Sequence, residues 1–579
     1  MVPATSRVCC LALLIAASLP GQRRTAGAGV AAATAPAAEQ VAAAIKSWIG
    51  DFTSDHLAPH GPLRGGDGLQ PGYVRPARAA AVLGKDDFDH ITHLDALQKL
   101  LVFAEANPSE AMADAVLEVA TAGFAQKLVD PEALALRDIG HLSLLRMDDK
   151  GVWFLLMRAA AGQRLPFLAA ERDDAGIDFA RQVAALKLLG IKALPVFRST
   201  IEGQLLALDA RVRLAAVEAL ELQRRPGSLP LLQRSLAVER HPVVSQALVR
   251  AVTAVLRAHG AGLPAAERQH AVQTALRLLG QCGWRTDMDL VALVEEFPCK
   301  AAIPALIAVL ARANDTADKL VAAVNRRASP LLRERAWQVL CSLTGAIIPA
   351  DKTSEWREFW LHEQDNIQVP ERIGRKRQVG GTRAQFFGIP VTGAEIAFVI
   401  DTSGSMDEAV GGTVTERRPR RDERAQTRLD AAKAAIVVAV QAMDPSARYH
   451  LFTFDSEARQ WNKKPVPPTA DAIRALHDML GQFHAKGGTN IYQALLLALQ
   501  LDQLRFGELG QQRVDELFLL SDGEPTIGAV KDPEAILALI REANKYQKVR
   551  INTVFAGFGP GADFLRRLAA ENDGVFVQR

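Results

Sequence analysis

The stretch IAFVIDTSGSM, residues 396–406, decides the fold of the carboxyl-terminal part of this chain. Its first half, residues 396–400, is a continuous apolar run with β-branched members, which is typical of a strand buried on both faces of a parallel sheet. Asp401, Ser403 and Ser405 follow at once in the pattern D-x-S-x-S. Open parallel sheets bind ligands at the carboxyl ends of their strands. The stretch therefore predicts a ligand site directly after a buried strand.

The polar side chains of this loop are all hard oxygen donors, one carboxylate and two hydroxyls. Mg²⁺, Mn²⁺ and Ca²⁺ accept such donors, and the stretch has no His or Cys that would favour zinc. Asp, Ser and Gly also form ordinary turns. The loop alone therefore does not separate a metal site from a turn.

Two later stretches supply further oxygen donors in the same kind of position. The sequence KGGTN, residues 486–490, precedes the apolar run 491–501, which predicts a helix. The run LFLL, residues 517–520, predicts a second buried strand, and it ends in SDGEPT, residues 521–526. Thr489 is thus expected before a helix and Asp522 after a strand.

Taken together, D-x-S-G-S, G-G-T-N and L-L-S-D-G-E-P-T resemble a von Willebrand factor type A domain with a complete metal-ion-dependent adhesion site. The resemblance covers residues 395–579 and implies an α/β doubly wound, Rossmann-like sheet. In that family the metal ligands come from the positions that correspond here to Asp401, Ser403, Ser405, Thr489 and Asp522.

The resemblance also implies what this site binds. The expected cofactor is a divalent cation, Mg²⁺ before Mn²⁺ or Ca²⁺, and the expected partner is a protein whose Asp or Glu carboxylate takes the remaining coordination position. Three of the five donors are neutral hydroxyls, and no neighbouring side chain in the motifs is an evident base for activating water. We therefore expect binding and not catalysis, with no catalytic residues.

The remaining pattern of residues 394–579 predicts alternating strands and helices, as a doubly wound sheet requires. Strands are expected at residues 449–454, 514–520, 550–555 and 575–577, and helices at residues 429–443, 470–480, 491–501, 533–546 and 562–570.

A charged insertion, residues 407–427, separates the first metal loop from the next helix. On the proposed fold it lies at the rim of the metal face, where its basic residues could steer an acidic partner. A solvated surface loop without a binding role is the alternative interpretation. The residues named as partner contacts are Arg417, Arg418, Arg420, Arg421 and, in the third motif, Glu524.

The amino terminus predicts export. Arg7 precedes the apolar run 8–19, and small residues follow at 26–28, which resembles a cleavable signal peptide spanning residues 1–28. The run is shorter than the roughly 20 residues that a membrane-spanning helix needs. Removing residues 1–28 takes away Arg7, Arg23 and Arg24 and lowers the formal charge from +3 to about zero, which argues against general nucleic-acid binding.

The long region of residues 79–361 predicts helices, because Leu, Val and Ala recur at three- and four-residue spacings between Gly, Pro and Asp turns. Pro195, Pro230 and Pro304 share one local pattern, with apolar residues two and six positions after each proline. A proline is tolerated in the first turn of a helix. The pattern resembles HEAT-type repeats that stack into a solenoid, and a single irregular helical domain is the alternative.

These observations predict a multidomain chain. Its expected parts are a signal peptide at 1–28, a flexible segment at 29–78, the HEAT-like region at 79–361, a basic linker at 362–393 and the von Willebrand type A domain at 394–579.

Two other functions stay open at this stage. In one, the helical solenoid is a scaffold that holds the main partner, and this includes an intracellular ATPase-associated factor if the amino terminus is retained. In the other, the metal site belongs to a hydrolase, which would require a base that the motifs do not supply.

Overall fold

The computed structural model describes residues 38–56, 93–122, 131–163, 175–314, 329–373, 384–409, 426–501, 504–508, 514–557, 559 and 561–579. The predicted signal at 1–28 lies outside the described residues. So do most of the predicted flexible segment and the arginines predicted to contact a partner, Arg417, Arg418, Arg420 and Arg421.

The described residues fall into two compact units. The first contains those up to Arg225 together with residues 504–508, where the ring of Phe506 lies 6.4 Å from that of Phe179. The second contains those from Pro226 onward, apart from residues 504–508. The predicted domain boundaries are a separate division of the chain and stay predictions.

Helices make up the first unit, as the spacing of its apolar residues predicts. Helices α6 (Ala175–Lys192) and α8 (Ala210–Gln223) approach closely at Gly190. A Cβ atom there would lie only 2.7 Å from the Cα of Ala219. The helices of this unit are α1 (Ala38–His56), α2 (His93–Ala106), α3 (Glu110–Val119), α4 (Pro131–Arg146), α5 (Lys150–Ala160), α6 (Ala175–Lys192), α7 (Arg198–Gly203) and α8 (Ala210–Gln223).

The second unit begins with further helices and continues into the sheet. None of the described helices of either unit is both long enough and apolar enough to span a membrane. The helices before the sheet are α9 (Leu229–Val238), α10 (Pro242–His259), α11 (Ala265–Leu276), α12 (Trp284–Glu296), α13 (Ala302–Asn314), α14 (Pro330–Thr344) and α15 (Thr353–Glu363).

The shared proline pattern corresponds to helix starts with buried apolar residues. Pro230 and Pro304 lie in the first turns of α9 and α13, and Pro195 opens a short 3₁₀ turn before α7. The apolar residues two and six positions after each proline are all buried, namely Phe197, Ile201, Leu232, Leu236, Leu306 and Leu310. The pattern therefore marks the side of each element that faces the helical core.

The sheet of the second unit has the strand order β5-β4-β3-β6-β7-β8, parallel except for the antiparallel pair β4 and β5. The predicted doubly wound fold is confirmed. Its strands are β3 (Glu395–Asp401), β4 (Arg448–Phe454), β5 (Ala458–Gln460), β6 (Glu516–Ser521), β7 (Arg550–Phe555) and β8 (Phe576–Gln578). Its helices are α16 (Arg428–Ala442), α17 (Ala470–Leu480), α18 (Ile491–Ala498), α19 (Pro533–Ala543) and α20 (Gly561–Glu571).

A small hairpin covers one face of this sheet. Strands β1 (Gln385–Phe386) and β2 (Ile389–Pro390) place the fully buried ring of Phe386 5.3 Å from that of Phe398 and 5.6 Å from that of Phe518. These aromatic contacts hold residues 386–390 against the sheet. An aromatic cluster of this kind stabilises beyond its buried area.

Two buried carboxylates fix the entry of the chain into β3. Glu516 accepts hydrogen bonds from the backbone N–H groups of Thr392 and Gly393, at 2.8 and 2.7 Å. Asp515 accepts from those of Ala394 and Glu395, both at 3.0 Å. Burial raises the pKa of Asp515 to about 7. The carboxylates therefore satisfy four consecutive backbone donors at the amino end of the sheet.

Ion pairs attach the neighbouring helices to this same end of the sheet. Arg550, the first residue of β7, contacts Glu334 of α14 at 3.0 Å. Arg335 of α14 contacts Asp573, just after α20, at 3.3 Å, and Lys548 contacts Asp289 of α12 at 2.7 Å. Because these contacts lie at the amino ends of the strands, they leave the carboxyl ends free.

The raised pKa of Asp515 predicts a pH dependence of stability. Between about pH 4, the ordinary aspartate pKa, and about pH 7 the folded chain keeps a proton on Asp515 that the unfolded chain has lost. Raising the pH through this window removes that proton and weakens the folded state. We expect Asp515→Asn to reduce the loss of stability between pH 5 and pH 8 by roughly 1–3 kcal/mol.

The measurement is the midpoint of urea unfolding at both pH values in EDTA. The asparagine lowers absolute stability by losing one backbone hydrogen bond, so the readout is the difference between the two pH values. Asp478→Asn, at an exposed position of α17, is the control and keeps the wild-type difference. An unchanged pH difference in Asp515→Asn would contradict the assignment.

Candidate metal centre

Three loops meet at the carboxyl edge of the sheet. The first loop, residues 401–408, follows β3; the second loop, residues 486–490, precedes α18; the third loop, residues 521–527, follows β6. Strands β3 and β6 are adjacent and parallel, with Ile400 opposite Leu520. This register places the residues after each strand side by side, which is why the first and third loops can share a site.

Side chains join the first loop directly to the third. Ser405 donates its hydroxyl to Oδ1 of Asp522 at 2.8 Å, and Ser521 donates to Oδ2 of Asp401 at 2.5 Å. The hydroxyl oxygens of Ser403 and Ser405 lie 3.2 Å apart. Four of the five predicted ligands therefore come together with Ser521 in one hydrogen-bonded group.

Backbone hydrogen bonds hold the second loop against the first. The N–H of Gly404 donates to the carbonyl of Gly487 at 3.1 Å, and the N–H of Lys486 donates to that of Thr402 at 2.8 Å. Gly487 has φ +72°, and a Cβ there would lie 2.7 Å from Oγ of Ser456. The first glycine of the GG pair is therefore required by conformation and by space.

Thr489, the fifth predicted ligand, joins the site through its backbone. Its carbonyl accepts from the N–H of Thr526 at 3.0 Å, and its own N–H donates to the Thr526 hydroxyl at 2.9 Å. Among the five residues, all of which are described, side-chain hydrogen bonds link Ser403, Ser405 and Asp522, and Thr489 has no side-chain bond to them. Thr489 is buried beside the third loop.

Exposure to solvent increases from the floor of the site to its rim. Asp401 is fully buried and Ser403 is 2% exposed, whereas Ser405 lies at the surface. Burial raises the pKa of Asp401 and the nearby Asp522 charge adds to this effect, whereas hydrogen bonds from Ser403 and Ser521 lower it. The net pKa is about 7. A buried carboxylate in this state is stabilised by a cation that reaches it from the open rim.

The donor set fits a hard divalent cation. Two buried carboxylates and two hydroxyls face one another, and oxygen-only sites of this kind suit Mg²⁺, Mn²⁺ or Ca²⁺. The described part of the chain has no cluster of three or more His, Cys, Asp or Glu residues placed to hold a metal. A site with only two acidic ligands therefore depends on its hydroxyls.

The sequence patterns missed two charged neighbours of the site. Arg428, the first residue of α16, donates from Nη1 to Oδ2 of Asp522 at 2.8 Å and pairs through Nη2 with Glu408 at 2.8 Å. The insertion separates Arg428 from the first motif in sequence. Only the folded chain brings it back, through a backbone bond from its N–H to the Glu408 carbonyl at 2.9 Å.

The ends of the predicted insertion do lie at the metal face. Ala409 and Thr427 form an isolated antiparallel bridge, so the insertion leaves and re-enters the domain beside the first loop. Glu524, predicted as a partner contact, is exposed on the third loop two residues after Asp522. Both features therefore lie at the rim of the candidate site.

A family model described as von Willebrand factor type A domain matches residues 396–524. Residues 396–524 belong to a von Willebrand factor type A domain. The match includes the first and second loops and residues 521–524 of the third loop, and the helical region lies outside it.

Relatives of this chain match about a third of its length. It is similar to inter-alpha-trypsin inhibitor heavy chain H4 of Homo sapiens, with 30% identity over 32% of this chain and 18% of the relative, and to heavy chain H2 of Homo sapiens, with 26% identity over 36% and 21%. A solved structure of von Willebrand factor type A from Catenulispora acidiphila shares 22% identity over 32% of this chain and 38% of that chain, with a TM-score of 0.24. The chain thus spans about a fifth of these heavy chains.

The burial of Asp401 predicts that the metal-free site is destabilising. We expect Asp401→Asn to raise the thermal midpoint in EDTA at pH 8 by about 2–6 °C, because it removes a buried charge that faces Asp522 and keeps an oxygen for the N–H of Ser403. Differential scanning fluorimetry measures the midpoint. Asp478→Asn, at an exposed position, should leave it within about 1 °C. A lower midpoint for Asp401→Asn would show that the carboxylate stabilises the fold without metal.

Proposed function

We propose that the von Willebrand type A domain binds one divalent cation, Mg²⁺ first, through Asp401, Ser403, Ser405, Thr489 and Asp522. The observation that carries the proposal is the pairing of two buried carboxylates, Asp401 and Asp522, at one open edge of the sheet. When bound, the cation supplies a Lewis-acidic position for an oxygen of a partner.

We further propose that the partner is a protein that offers an Asp or Glu carboxylate. The exposed Ser405 and Glu524 mark the side from which it approaches. The arginines of the insertion, Arg417, Arg418, Arg420 and Arg421, are proposed to attract it electrostatically, since both ends of the insertion lie at this rim. Matching charges of this kind affect the rate of association more than final affinity.

The arrangement of the carboxylates supports binding over hydrolysis. Asp401 accepts from the N–H of Ser403 and from Ser521, and Asp522 accepts from Ser405 and Arg428. Each of the four carboxylate oxygens thus accepts one hydrogen bond from the protein and keeps a lone pair. The proposal assigns these lone pairs to the cation, which leaves neither carboxylate to act as a general base. We assign no catalytic residue.

Residues 1–28 support the proposal that the chain is exported, to the periplasm, the cell surface or the medium. The export proposal rests on a motif of a positive residue, a short apolar run and small residues. The export machinery recognises such a motif in the nascent chain. Amino-terminal sequencing of the mature protein tests it.

A second function rests on a different observation. Val196, Leu206 and Leu208, in the segment around α7 in the first unit, are 62%, 83% and 102% exposed. Exposed apolar residues close together in a chain are typical of interaction surfaces. In this alternative the helical region holds the main partner and the metal domain regulates the complex.

The test of metal binding is thermal unfolding of the full chain with Mg²⁺, Mn²⁺ or Ca²⁺ against EDTA. A ligand that binds only the folded form at about 100 times its Kd adds about 2.7 kcal/mol, which corresponds to a rise of about 4–10 °C in the midpoint. We expect this rise in wild type and Asp478→Ala and its loss in Asp401→Ala. No rise with any of the three metals at millimolar concentration would contradict the proposal.

Once a partner has been identified, the variant Asp401→Ala distinguishes partner binding through the metal site from partner binding through the helical region. Binding through the metal site requires that the variant, like EDTA, abolish partner binding. Partner binding that persists in the variant would instead assign the partner to the helical region.

A further inference from the structure

The side chain of Arg428 lies beside the candidate metal centre and is held from several sides. It is 15% exposed and donates to Asp522, whose side chain is fully buried. The same Nη1 lies 3.4 Å from the backbone carbonyl of Ser405. Gly557 leaves room for the guanidinium, since a Cβ there would lie 3.3 Å from its Cζ. The guanidinium of Arg428 is therefore a fixed part of the site.

The other edge of this guanidinium is occupied by a carboxylate of quite different exposure. Nη2 of Arg428 lies 2.8 Å from Oε2 of Glu408, whose side chain is 64% exposed. The backbone of Glu408 is tied down by Ser405 and Arg428, but its carboxylate reaches the arginine from the solvent side. An exposed ion pair of this kind contributes little stability, so its carboxylate is readily exchanged.

The charges around the site explain why such an exchange matters. Asp401, Asp522 and Glu408 carry three negative charges against the one positive charge of Arg428, so a divalent cation makes the group neutral. A group with no net charge adds no long-range attraction for an incoming carboxylate to the direct bond that the metal offers. Without Glu408 on Arg428, the same group with its cation is positive and attracts a monoanion.

We propose that Arg428 is a second cation of the carboxylate-binding site, and that Glu408 is an internal carboxylate that occupies it until the carboxylate of a partner takes its place. This inference rests on the proposed function, because it describes the same site. It makes Arg428 a binding residue for the partner and Glu408 a built-in competitor, so the chain lowers its own affinity for weakly acidic partners.

The probes are Mn²⁺ alone and then acetate as the simplest carboxylate. Mn²⁺ binding to the full chain is measured by electron paramagnetic resonance, and acetate binding by the loss of water-proton relaxation from protein-bound Mn²⁺, both at low salt. We expect Glu408→Gln to weaken Mn²⁺ binding by about two- to fivefold and Arg428→Gln to strengthen it by a similar factor. For acetate the order reverses, with tighter binding in Glu408→Gln and weaker binding in Arg428→Gln, each by about three- to tenfold.

A matched ion pair provides the control. Glu534 and Arg567 form an exposed pair between α19 and α20, and Glu534→Gln and Arg567→Gln should bind both probes as wild type does. Opposite effects of the two site variants on acetate separate a binding role from a structural one, because a disturbed fold would weaken both.

The outcomes also separate this inference from the function it rests on. If wild type binds Mn²⁺ and the two site variants bind acetate as wild type does, the roles of Arg428 and Glu408 are wrong and the metal site stands. If wild type does not bind Mn²⁺, both proposals are overturned.

Discussion

The close approach of two buried carboxylates is the constraint on which the site depends. Asp401 ends β3, and Asp522 follows the adjacent parallel strand β6. The register that places Ile400 opposite Leu520 therefore brings both residues to the same edge of the sheet. Burial of a carboxylate is unfavourable, and it raises the pKa of Asp401, to which the nearby Asp522 charge adds a smaller contribution. The surrounding hydroxyls, the backbone bonds between the three loops and Arg428 are the means by which the fold tolerates the pair, and a divalent cation would complete them.

The amino ends of the strands, at the opposite edge of the sheet, have a structural role, because contacts there hold the domain in place. Asp515 and Glu516 satisfy the backbone where the chain enters β3, and ion pairs from Arg550 and Lys548 reach the helices of the same unit. Because all these contacts lie at the amino ends of the strands, they do not occupy the loops at the carboxyl edge. The division of a sheet into a supporting edge and a binding edge is a general property of open α/β folds.

The sheet and the candidate ligands could be predicted from the sequence, because both predictions depend on local patterns. Buried runs such as residues 517–520 identify strands, and D-x-S-x-S identifies a loop with oxygen donors. Arg428 and Glu408 were not recoverable in this way, since their pairing arises from the return of the chain after an insertion and from no spacing in sequence. The role of the two buried carboxylates at the amino end of the sheet was missed for a related reason. Asp515 and Glu516 resemble an ordinary polar strand start until the fold places four backbone N–H groups around them.

Anomalous diffraction at the manganese edge, from crystals of the chain grown with Mn²⁺, tests the central claim most directly. We expect one strong peak at the carboxyl edge of the sheet, within bonding distance of the hydroxyl oxygens of Ser403 and Ser405, and its absence in crystals of Asp401→Ala. Crystals with millimolar Mn²⁺ and no peak between the first and third loops would contradict it. In that case the two carboxylates would be a buried pair that the fold tolerates without a metal.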